Sequence, residues 1–129
     1  MIYVDNSALV KLVLPEAESS SMIEFAAKFD TLVTSTIGAI EFRRAVKRHY
    51  AQQLWAVERV LAEMTILELS HEVRRTAELL EPTILRTLDT IHLASALVIR
   101  EELEAFVAYD ERLLEAARLA GIPTASPGA

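Results

Sequence analysis

Met1-Ile-Tyr-Val-Asp5-Asn-Ser7-Ala-Leu-Val-Lys11 opens the chain, and its reading decides the fold. Ile2, Tyr3 and Val4 are β-branched or aromatic, residue types that suit a half-buried pleated surface. Asn6 and Ser7 break that run and are suited to capping a helix. The pattern predicts a strand that runs into an acid and then into a helix, which leaves Asp5 at the carboxyl end of the strand. In an α/β sheet that edge is where ligands bind. Asp5 is therefore either a helix cap or part of a site.

Outward from this stretch the same alternation recurs. Ala8 to Leu14 reads as a short helix stopped by Pro15. Glu16 to Phe29 places its apolar residues at mostly helical spacing, with acids in the first turn. Leu32-Val33-Thr34 is a second strand, and Ser35 or Thr36 caps a long helix through His49 and Tyr50. A helix over Ala51 to Glu63 comes next, then a strand from Met64 to Leu69. Ser70 caps a helix from His71 to about Glu81, Thr83 to Leu88 connects, and Asp89 to Glu101 is helical again. Ala105 to Tyr109 is a fourth strand, Asp110 to Ala120 a helix closed by Gly121, and Ile122 to Ala125 a last strand. Short strands alternating with helices predict a mainly parallel sheet covered on both faces, a three-layer α/β/α fold.

The totals fit one domain spanning residues 1–129, with 52% hydrophobic and 25% charged residues. Mean hydropathy is +0.26, high enough to expect some apolar surface to meet a partner or a second copy. The absence of cysteine excludes disulfides and thiolate metal sites and fits a reducing compartment. No basic region followed by an apolar one leads the chain, and no apolar run is long enough to span a membrane, so a cytoplasmic protein is expected. A net charge of −6 argues against bulk electrostatic binding of nucleic acid, but not against an enzyme whose acids hold cations that meet a phosphate.

Four acids stand out. Asp110 repeats the placement of Asp5, since Phe106-Val107-Ala108-Tyr109 runs into it and a helix comes after. Strands of a parallel sheet finish on one side, so the two acids would share an edge, although each could equally be an N-cap. Asp89 opens a helix whose Ile91, Leu93, Ala94, Ala96, Leu97, Val98 and Ile99 leave almost no polar face. An ionised carboxylate there is costly unless a cation or several donors meet it. His92, in the same helix, reads as a hydrogen-bonded core residue rather than a ligand. Glu41 borders the apolar arc of its helix, where it is either a site residue or an ion-pair partner of Arg44. Arg43, Arg44, Lys47 and Arg48 lie outside that arc, as a solvated face or as contacts for a phosphate backbone. Oxygen donors without cysteine or paired histidines suit Mg²⁺ or Mn²⁺, as in sites that hydrolyse phosphodiesters.

These pieces together resemble the PIN-domain family, and within it the VapC-type toxins of toxin–antitoxin pairs. The resemblance rests on Tyr3 to Lys11, on Ile40-Glu41-Phe42-Arg43-Arg44-Ala45, on Leu85 to Ala96, and on Tyr109-Asp110-Glu111-Arg112-Leu113. Ala120 to Pro123 and Ser126-Pro127-Gly128 also look like the family's end. It implies a five-stranded sheet and a metal-dependent ribonuclease site in which Asp5, Glu41, Asp89 and Asp110 surround Mg²⁺ or Mn²⁺, with Ser7 in support. It also implies a homodimer or a hetero-oligomer with a VapB-type antitoxin that holds the enzyme inactive. Many relatives carry Thr or Ser two residues before the last acid, where this chain has Ala108. The alternative is a PIN-like module that binds RNA or protein without cutting. A phosphoaspartyl phosphatase would want a second Asp where Ser7 stands, and no glycine-rich phosphate loop is present.

Overall fold

The computed structural model describes residues 1–129. Its strands are β1 Ile2–Val4, β2 Leu32–Ser35, β3 Thr65–Leu67, β4 Ala105–Val107 and β5 Thr124–Ala125. They form one sheet in the order β3-β2-β1-β4-β5, and every pairing is parallel. Parallel neighbours need crossovers, and helices supply them. These are α1 Asn6–Leu9 and α2 Ser19–Ala26, α3 Thr36–Tyr50 and α4 Leu54–Ala62, α5 His71–Leu79 and α6 Thr87–Val98, and finally α7 Glu111–Leu119.

Strand alternation builds a core on each face of the sheet. Ile2 and Val4 pack with Leu9, Met22, Phe42, Val46 and Val57, which come from α1 to α4. Tyr3 points the other way and packs with Phe106, Leu93, Leu113, Leu114 and Ala117, from β4, α6 and α7. The α5 helix lies against α6. This is the expected three-layer α/β/α architecture, with β1 in the middle of the sheet.

The ends of the elements differ from the expectations for local reasons. The first helix starts at Asn6 rather than Ala8, because the Asp5 side chain accepts from the Ala8 amide. It passes into a 3₁₀ turn over Val10–Leu12 before Pro15. The α2 helix begins only at Ser19 and has no acid in its first turn. Glu16 and Glu18 instead bind the Lys11 ammonium at 3.1 and 2.9 Å. The edge strand β3 is shorter than its apolar run suggests. The α6 helix starts two residues ahead of Asp89, which puts that acid in the first turn and not at the cap. Ser35 and Ser70 do cap their helices, accepting from Gly38 and Val73. The α7 helix closes on Gly121 at φ +84°, a conformation that favours glycine. There the Gly121 and Ile122 amides return to the Arg118 and Ala117 carbonyls, a Schellman closure.

Candidate active site

The adjacent parallel strands β1 and β4 are in register with Val4 opposite Val107, so the residues after each emerge at the same sheet edge. Asp5 comes directly after β1 and is 4% exposed. Its Oδ1 accepts from the Ser7 hydroxyl at 2.6 Å and from the Ala8 amide at 3.1 Å. The Ser7 oxygen in turn accepts from the Tyr109 amide at 2.9 Å, tying the end of β1 to the end of β4. Burial pushes the Asp5 carboxyl up to about 6, with the neighbouring Asp89 charge adding; the hydrogen bonds from Ser7 and the Ala8 amide pull the other way. Asp110 is half-buried and caps α7, accepting from Leu113 at 3.0 Å. Capping and site membership are therefore compatible in Asp5 and Asp110, since each uses one oxygen for the cap.

Asp89 is not met by a ring of capping donors. Its partner is the exposed Arg86, whose Nε donates to Oδ2 at 3.1 Å. Arg86 feels Asp89 most strongly, then Asp110 and Glu41, and its guanidinium is held charged by them. One side chain thus senses three of the four acids. Glu41 does not pair with Arg44. Its Oε1 lies 2.6 Å from Nε2 of His92, a residue 1% exposed on α6.

Two grooves flank the first turn of α6. One, of about 970 Å³, is lined by Arg86, Asp89 and Asp110. The other, of about 740 Å³, is lined by Asn6, Glu41, Arg44, Lys47, Arg48 and Leu88. Asp5 lies buried at the sheet edge. Arg43 is turned elsewhere, held by Glu58 of α4 through two bonds of 2.7 and 3.0 Å. Ala108 is fully buried in the Tyr3–Phe106 core, while its carbonyl accepts from Ser126 at 2.7 Å. The hydroxyl that supports this edge is therefore that of Ser7.

No three acids or histidines draw together tightly enough to cage a cation among themselves. Mg²⁺ does not require such a cage, since it keeps several waters and binds through one or two carboxylates plus substrate phosphates. A set of Asp and Glu oxygens, with the Asp89 charge raising the cost of ionising Asp5, fits such an ion. Sequence reasoning passed over Tyr3 and His92 as core residues and Arg86 as a connector residue. The usable signal was a histidine within an apolar helix, because a buried imidazole requires partners.

Known proteins resemble this chain in sequence and in fold. The model of the PIN domain matches residues 2–119. The chain is 43% identical to Ribonuclease VapC47 of Mycobacterium tuberculosis, over 100% of this chain and 98% of that one. Its fold matches the crystal structure of Mycobacterium tuberculosis VapC20, described as a Sarcin-Ricin loop cleaving toxin, with TM-score 0.77 at 15% identity, covering 98% of this chain and 100% of that one. A toxin–antitoxin complex from Klebsiella pneumoniae matches with TM-score 0.75 at 22% identity, covering 98% of each chain.

Proposed function

The chain belongs to the PIN-domain family, among the VapC-type ribonucleases, and from that membership we propose that it hydrolyses RNA phosphodiester bonds with Asp5, Glu41, Asp89 and Asp110 around Mg²⁺ or Mn²⁺. The observation that carries this reading is the delivery of Asp5 and Asp110 to one edge by paired strands, with Asp89 close enough to disfavour ionisation of Asp5. Asp5 and Asp89 would hold the cation, and Asp110 and Glu41 would complete its surroundings. When bound, such an ion supplies Lewis-acid stabilisation of phosphate charge and eases deprotonation of an attacking water. Ser7 keeps Asp5 aligned with the end of β4. Arg44, Lys47 and Arg48, along the Glu41 groove, would bind the flanking RNA backbone.

Asp5→Asn and Asp89→Asn are expected to abolish cleavage of RNA by the purified chain in Mg²⁺ or Mn²⁺. Full activity in either variant, or in excess chelator, removes the mechanism. Tight RNA binding with no cutting under any metal favours the non-catalytic module. The partner in this proposal is a VapB-type antitoxin, and half-exposed Ile40 and Leu88 on the rim of the Glu41 groove are apolar surface it would cover. The chain is further proposed to act in the cytoplasm, as a homodimer or in a hetero-oligomer with that antitoxin. No helix is long and apolar enough to cross a membrane.

A further inference from the structure

Behind Glu41 lies a chain of buried polar groups that the metal chemistry does not use. His92 is 1% exposed and Tyr3 fully buried. The Tyr3 hydroxyl is 2.8 Å from Nδ1 of His92, and Nε2 of the same ring is 2.6 Å from Glu41 Oε1. Tyr3 is itself fixed, stacked on Phe106 with ring centroids 5.4 Å apart and meeting His92 edge-on at 5.7 Å. A neutral phenol that donates to Nδ1 leaves the imidazole proton on Nε2, where its remaining acceptor is the Glu41 carboxylate. No protein group bonds the second oxygen, Oε2.

The backbone makes room for this arrangement. Gly38 lies one turn before Glu41 on α3, and a Cβ there would come 3.1 Å from the His92 ring and overlap the Thr34 hydroxyl. Glycine at this position thus fits the close approach of α3 to Thr34 of β2 and to the His92 ring of α6. The Glu41 side chain is 24% exposed on a groove wall and would otherwise sample several rotamers.

We propose that His92, with its tautomer set by Tyr3, is a positioning residue that locks Glu41 in the rotamer the site uses and leaves Oε2 to face the groove. This rests on the reading of Glu41 as one of the acidic quartet. A histidine needed only to fill the core would be served as well by any side chain that satisfies Tyr3. A positioning histidine must reach Glu41.

Three substitutions in the full chain separate these roles. Glutamine places its amide nitrogen near the Nε2 position and can still donate to Glu41. Asparagine reaches only as far as Nδ1, and leucine offers no donor. Folded His92→Asn and His92→Leu are expected to lose about 10- to 100-fold in kcat with little change in KM for RNA, and to bind Mn²⁺ more weakly in the absence of RNA. His92→Gln should restore most of both. The ¹⁵N spectrum of the His92 ring should show the Nε2–H tautomer in the wild type and lose that preference in Tyr3→Phe. Wild-type turnover and Mn²⁺ affinity in His92→Asn or His92→Leu overturns the inference, as does equal damage from Gln and Asn or an Nδ1–H tautomer. If the wild type cuts no RNA, the ribonuclease reading fails, and the tautomer and Mn²⁺ measurements still judge the dyad.

Discussion

Asp5 shows how a side chain proposed for the site can be costly to the fold. Burial raises it from 3.8 to about 6, so between those values the folded chain holds a proton that the unfolded chain has released. Its contribution therefore favours folding below pH 3.8 and is lost as pH rises through about 6. Near neutral pH the buried charge costs roughly 3 kcal/mol. Asn at this position keeps an acceptor for Ser7 and Ala8 and removes the charge. Asp5→Asn is thus expected to melt several degrees above the wild type near neutral pH, with the gap closing by about pH 4, while losing all cleavage. A divalent cation should narrow the gap by stabilising the wild type alone. Equal melting temperatures across the range would show that Asp5 is solvated in solution.

At the scale of elements, Gly38→Ala sets two effects against each other. Alanine favours a helix interior by up to about 1 kcal/mol, but the added methyl overlaps Thr34 and crowds His92, an overpacking cost of about 1–3 kcal/mol. Net destabilisation by about 1–2 kcal/mol in denaturant titration is expected, with weaker RNA cleavage; a more stable variant would contradict the crowding. What was legible in the sequence divides along the same line. The junctions at Asp5 and Asp110 are local patterns, a strand running into an acid and then a helix, and both lie at the carboxyl edge of the sheet. Asp89 stood out as a helix-opening acid, yet its surroundings are the Arg86 guanidinium and the first turn of α6. The link between Glu41 and His92 was not readable, because it depends on how α3 and α6 cross rather than on spacing along either. A helical wheel likewise places Arg43 and Arg44 together outside the apolar arc. Only the packing of α4 gives Arg43 its carboxylate and leaves Arg44 on the groove.

For the molecule as a whole, a net charge of −6 and a basic groove coexist because three of the 13 Lys and Arg residues, Arg44, Lys47 and Arg48 of α3, line that groove together. Neutralising Arg44, Lys47 and Arg48 together should weaken RNA binding at all sequences and make the salt dependence shallower by about 2 in log–log slope, at about 0.7 per contact on single strands. An unchanged slope would move the RNA path elsewhere. Large apolar side chains also remain at the surface, Trp55, Leu79, Ile84 and Leu119 among them, in keeping with the expectation of a covering partner. The place of β1 between β2 and β4 has a consequence for biosynthesis. Asp5 is translated well ahead of β4, one of the two strands beside β1, and of Asp110. A nascent or prematurely terminated product ending before Ala105 lacks both the strand that pairs with β1 and the acid that follows it, so the proposed site can form only once β4 has been made.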